Sequence, residues 1–180
     1  SHQGFTLIEL MVTIAIAAIL LTIGVPSLTS FFDRQKVVAA AEAVYNDISL
    51  ARSMAIDRNK NIYFKTSLSG TTMYTGFTDL SSCAPETLNS CTVYEDTAGD
   101  GNDSSDKVTY SFEYDEFSDV TITLSDSYVS FDSIRGMADV PDDFEIEFSL
   151  NSYTLNLTTN VFGKPTICSD GSSVGGYKSC

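Results

Sequence analysis

The sequence predicts an α+β protein: one long N-terminal α-helix packed on an antiparallel β-sheet head. Three observations carry this. Residues 5–25 are almost wholly apolar, with a single carboxylate, Glu9. Beyond Phe31, apolar residues recur at three- and four-residue steps to the neighbourhood of Arg58. After residue 60 the period changes to two.

The first element is the apolar run. Phe5 to Val25 is about 20 residues, the length a helix needs to cross a bilayer. Thr6, Thr13 and Thr22 can bond back to their own helix. A secretory signal would bring a basic start and a small-residue cleavage site. Here SHQG holds no Lys or Arg, and the run ends in Gly24-Val25-Pro26. A plain membrane anchor leaves Glu9 unexplained, because a carboxylate in lipid is costly without a partner. If the chain is cut after Gly4, Phe5 presents a new amine, and Glu9 can pair with that amine on a neighbouring copy. Pro26 has no N–H and clashes with the preceding turn, so a kink or local melting is expected there.

The second element is amphipathic. Val37, Ala41, Val44, Ile48, Ala51 and Ala55 form one apolar stripe. Its small alanines allow a sheet to approach closely. The helix is expected to end at Arg58, with bases in its last turn as the macrodipole prefers. From Phe5 to Arg58 such a rod would be roughly 80 Å long at 1.5 Å per residue.

The head reads as strands at 61–66, 72–77, 91–95, 108–114, 120–124, 129–131, 144–150 and 153–158, with Asn151-Ser152 as a hairpin turn. Phe144-Glu145-Ile146-Glu147-Phe148 alternates cleanly. No internal repeat and no low-complexity linker interrupts the head.

Charge divides the chain. The net charge is −14, yet residues 1–60 hold five acids and five bases, so the whole excess lies in 61–180. An acidic head repels phosphate backbones, which argues against nucleic acid as a partner. Catalysis fails on inventory: there is one His and no nucleophile elbow or phosphate-cradling glycine loop.

The four cysteines all lie in the acidic part. None forms a CxxC pair, so two loop-closing disulfides and an oxidising compartment are expected. Three pairings are possible; Cys83–Cys91 and Cys168–Cys180 are preferred because each closes a short loop. Four buried free thiols are the alternative. The loop between Cys168 and Cys180 reads either as a contact surface or as a staple on the last strand. In the stretch 95–106, Asp96, Asp100, Asn102 and Asp106 carry oxygens of the kind Ca²⁺ takes. No complete EF-hand pattern begins there, so a plain acidic loop with no cofactor is preferred and calcium is the alternative.

GFTLIEL followed by an apolar helix resembles the type IV pilin and type II secretion pseudopilin superfamily. The resemblance implies that a prepilin peptidase cuts between Gly4 and Phe5 and N-methylates Phe5. It implies that Glu9 guides packing into a fibre, and that Pro26 is the helix-kinking proline. The leader departs from the family pattern in having no Lys or Arg. AEAVYNDISLARSMAIDRN, VSFDSIRGMA and VFGKPTIC resemble segments of H-type minor pseudopilins and of T- and U-type fimbrial minor pilins. The organisation implied is 1–4 leader remnant, 5–30 transmembrane and fibre-core helix, 31–60 amphipathic helix, and 61–180 head with two disulfide loops.

The function implied is a non-enzymatic fibre subunit, a minor pilin that primes assembly or sits at the tip. A major pilin and a minor secretion pseudopilin are the alternatives, and a tip adhesin or DNA-uptake receptor is the rival of another class. The implied partners are other pilin or pseudopilin subunits, the prepilin peptidase, an inner-membrane assembly platform, and the membrane before assembly. The implied location is the bacterial inner membrane, single-pass with a periplasmic head, and then a fibre at the cell surface.

Overall fold

The computed structural model describes residues 6–95, 107–126, 128–140, 144–171 and 174–180, with the side chains of 23–26 left aside. One helix, α1 (Leu7–Asp57), runs 51 residues. It opens on Thr6, whose hydroxyl caps the Glu9 N–H. The helix is continuous through position 26, so the local melting expected at Pro26 does not occur. It ends one residue earlier than expected, and its last turn holds no base. Arg58 is the C-cap, and Lys60 lies beyond it. Both are drawn into the head instead: Arg58 Nη2 lies 3.0 Å from Glu95 Oε2, and Lys60 Nζ donates to the Tyr94 carbonyl at 2.9 Å.

The described head residues form antiparallel sheets. The strands are β1 (Ile62–Ser69), β2 (Thr72–Thr78), β3 (Thr92–Tyr94), β4 (Lys107–Thr109), β5 (Ser111–Tyr114) and β6 (Thr121–Leu124). They continue as β7 (Tyr128–Phe131), β8 (Ala138–Asp139), β9 (Glu145–Leu150), β10 (Tyr153–Thr159) and β11 (Pro165–Gly171). One sheet has the order β5-β2-β1-β7-β8, a second β11-β10-β9-β6, and β3 pairs with β4. Leu150 pairs with Tyr153 around the Asn151-Ser152 turn, where Asn151 takes a φ of 55°.

Two features differ from the sequence expectation. The stretch 108–114 is two strands in different sheets, because Tyr110 breaks it. The Tyr110 N–H donates to the Cys91 carbonyl, and its own carbonyl accepts from Phe77. Its ring stacks on Phe77 at 4.6 Å. Strands β8 and β11 lie where none was expected. Both are edge strands, and β11 begins on Pro165, a ladder position where a missing N–H costs little.

Helix and sheets meet in one core. The whole stripe Val37, Ala41, Val44, Ile48, Ala51 and Ala55 is buried, joined by Ala40 and Met54. Phe64, Phe77, Phe131, Ile146, Phe148, Leu155 and Leu157 face it from the two large sheets. The second half of α1 is thus a core element of the head. The first half shares none of this packing, since Leu7 to Leu21 present their side chains to the outside.

Candidate functional site

The helix that leaves the head is the part of the molecule with unmet chemistry. Leu7, Ile8, Leu10, Ile14, Ile19, Leu20 and Leu21 are each at least 60% exposed. Such a surface cannot persist in water; it needs lipid or other helices. Polar groups along it are internally satisfied. Thr13 and Thr22 donate to the carbonyls of Leu10 and Ile19 at 2.8 and 2.7 Å. Glu9 is the exception: its backbone is capped by Thr6, but its carboxylate is exposed in the first turn. By length and composition this helix is able to cross a membrane. Gly4 and Phe5 lie outside the described residues, as does the side chain of Pro26.

At the junction, polar ties fix how the helix exits. Lys36 pairs with Asp119, and Asn151 donates to Asp33 at 2.8 Å. Phe31 and Phe32 remain about half exposed, and the Arg34 guanidinium lies over the Phe31 ring.

Further along, two contacts clamp the helix to the head. Asp47 is 7% exposed and accepts from Thr75 Oγ1 at 2.5 Å and Tyr114 Oη at 2.6 Å. Burial pushes its carboxyl above the ordinary carboxylate range, while the two hydroxyls pull it back. Tyr177 donates to Glu42 at 2.6 Å, and burial followed by the Glu42 bond pushes its phenol up to about 12. An open cleft of about 380 Å³ lies beside this contact, lined by Glu42, Tyr45, Asn46, Ile167 and Tyr177. Sequence reading passed over Asp47, although the signal was present. It falls on the buried register of Ala40, Val44, Ala51 and Met54, so a carboxylate stands where an apolar side chain is due.

Disulfides close Cys83 to Cys91 and Cys168 to Cys180. Gly76 makes room for the first, since a Cβ there would sit 2.7 Å from Cys91 Sγ. The second holds a segment that packs inward: Val174 is fully buried, and the Ser169 N–H donates to the Lys178 carbonyl. Asp96, Asp100, Asn102 and Asp106 lie outside the described residues. Among the described residues no cluster of three acidic, His or Cys side chains is placed to hold a metal.

The geometry is therefore a folded head clamped to half of a helix whose other half seeks apolar partners. Two family models match the chain. The prokaryotic N-terminal methylation motif covers residues 1–25, and the type II transport protein GspH covers residues 40–163. The chain belongs to the GspH family. With the methylation motif, this places it in the type IV pilin and pseudopilin superfamily. No curated protein and no solved structure matches it. Members of the GspH family and its superfamily are structural subunits, not enzymes, and they enter assemblies through processed N-terminal helices. In this GspH-family chain the two matches divide as the structure does. The motif covers the exposed half of α1, and the GspH match begins at Ala40, within the clamped half.

Proposed function

We propose that this chain is a minor subunit of a type IV pilus-like fibre that primes assembly or sits at the tip. Prepilin peptidase cuts between Gly4 and Phe5 and methylates Phe5. Before assembly the apolar half of α1 spans the bacterial inner membrane, with the head in the periplasm. An inner-membrane platform then transfers it into the fibre, and neighbouring helices replace lipid around Leu7 to Leu21. The carboxylate of Glu9 pairs with the Phe5 amine of an adjacent subunit, so its burial is compensated only in the assembled state. The observation that carries this reading is the apolar half-helix, exposed from Leu7 to Leu21, with one exposed carboxylate in its first turn.

A second reading keeps the fibre in the periplasm, as a minor pseudopilin of a type II secretion system. The match to a type II transport protein favours it. One experiment separates these readings: quantitative mass spectrometry of sheared, purified surface fibres, scoring copy number and the N-terminal peptide. A methylated Phe5 peptide at trace stoichiometry is expected. The same peptide as the dominant species would make the chain a major pilin. A methylated peptide confined to the cell envelope would favour the pseudopilin. An uncut SHQG peptide found only in membranes would overturn the subunit reading.

A further inference from the structure

One end of the acidic head is built unlike the rest. Two tight turns, 132–137 and 160–164, meet there. The Asp132 carboxylate accepts from the backbone N–H groups of Arg135, Ile134 and Met137 at 2.7, 2.8 and 3.1 Å. Asn160 Oδ1 accepts from Phe162 and Lys164 at 3.0 and 3.1 Å. The turns touch backbone to backbone, because a Cβ on Gly163 would lie 2.1 Å from the Gly136 carbonyl oxygen. The Ala138 N–H donates to the Val161 carbonyl at 3.1 Å, and Arg52 Nε on α1 donates to the Gly136 carbonyl at 3.0 Å. Every turn is thus held by a side chain or a neighbouring element.

This apparatus displays apolar side chains to solvent. Ile134 is 80% exposed, Phe162 68% and Val161 58%, with Ile56 of α1 packed against Gly136 alongside. Packing within the head does not explain side chains that point away from it. Rigid turns lower the entropy lost when such a surface docks, which is how a small anchor becomes effective.

Two of the few bases of the head stand on this rim, beside the Asp132 carboxylate that the turn's own N–H groups hold. Residues 61–180 contain five bases, and Arg135 and Lys164 are two of them. Both are exposed, and neither forms an ion pair among the described residues. An apolar anchor with a cationic rim complements an acidic protein surface with an apolar hollow. Distance excludes the bilayer as occupant. Ile56 lies about 46 Å along α1 beyond the end of the apolar span at Val25, taking 1.5 Å per residue.

We propose that the two-turn knob carrying Ile134, Val161 and Phe162, rimmed by Arg135 and Lys164, docks on an acidic face that the head of the neighbouring pilin-like subunit presents to it. This rests on the subunit function proposed above. The test uses the full-length chain in fibre-producing cells, with the photoreactive benzoylphenylalanine replacing Phe162. The expected result is a light-dependent adduct with one other protein, identified by mass spectrometry as a chain that carries its own N-terminal methylation motif. The double variant Ile134→Asp/Phe162→Asp should lower recovery in sheared fibres by about tenfold or more. It should leave Phe5 methylated and the melting temperature unchanged. Charge reversal, Arg135→Glu/Lys164→Glu, should weaken the adduct by itself.

If a methylated, fibre-borne chain gives no adduct, or one with lipid, nucleic acid or a protein lacking the motif, the knob proposal fails and the subunit reading stands. If the chain is unmethylated and absent from both fibres and envelope assemblies, both fail together.

Discussion

Replacing Asp47 with alanine tests whether the head is clamped to the helix as described. The carboxylate is 7% exposed, and Thr75, one of its two donors, is fully buried. Without Asp47 the buried Thr75 hydroxyl loses its carboxylate acceptor, which costs about 1–3 kcal/mol. Tyr114 is only half-buried and can turn towards water, so its loss is smaller. Removing a buried carboxylate also relieves its own desolvation, which works in the opposite direction. The net expectation is a loss of about 2–3 kcal/mol. In a domain of this size that lowers the melting temperature by about 4–12 °C. Circular dichroism of the detergent-solubilised full-length chain measures it.

The same site predicts a pH dependence. Burial raises the folded pKa of Asp47 above its unfolded value. The proton-linked part of its stability is therefore fully present below the unfolded pKa, about 3.9, and is lost as pH rises through the folded value, leaving the part carried by the Thr75 and Tyr114 bonds. Asp47→Asn should remove that slope, so the difference between wild type and Asp47→Asn should fall over this window as pH rises. An Asp47→Ala chain that melts within about 1 °C of wild type, or equal pH slopes in wild type and Asp47→Asn, would refute the clamp.

Four further outcomes are expected. Glu9→Val should leave the chain helical and inserted but absent from its fibre, scored by mass spectrometry of sheared material; wild-type incorporation would reduce the helix to an anchor. Gly163→Ala places a Cβ 2.1 Å from the Gly136 carbonyl oxygen at a φ of +72° and should cost about 2 kcal/mol or more in denaturant unfolding. Cys168→Ser/Cys180→Ser opens a loop with a separation of 12 residues and should cost about 2–4 kcal/mol, with increased protease sensitivity near Tyr177. Millimolar Ca²⁺ should leave the melting temperature unchanged; a rise that Asp100→Ala abolishes would make the 96–106 segment a metal site.

Long-period features were legible in the sequence. The apolar run with Glu9, the stripe from Val37 to Ala55 and the alternation of Phe144–Phe148 each repeat one geometric rule over many residues. They report which face is buried without any knowledge of the partner. What escaped depends on contacts between distant segments. Tyr110 breaks a continuous apolar-alternating stretch because Phe77 and Cys91 claim its backbone. β11 was hidden by its polar composition, which an edge strand tolerates. Arg58 and Lys60 read as helix-terminal charges, yet Glu95 and Tyr94 draw them into the head.

By itself, then, the sequence determined the α+β class, the helix with its two unlike halves, and the N-terminal methylation motif. The first two follow from local periodicity, and the motif from its likeness to the family. Only the tertiary structure decided that Asp47 is a core clamp, that the Cys168–Cys180 segment buries Val174 and ties to the helix through Tyr177, and that the turns carrying Ile134 and Phe162 meet at Gly136 and Gly163. Each of those rests on pairing between residues far apart in the chain, and no local pattern encodes which distant donor a carboxylate will meet.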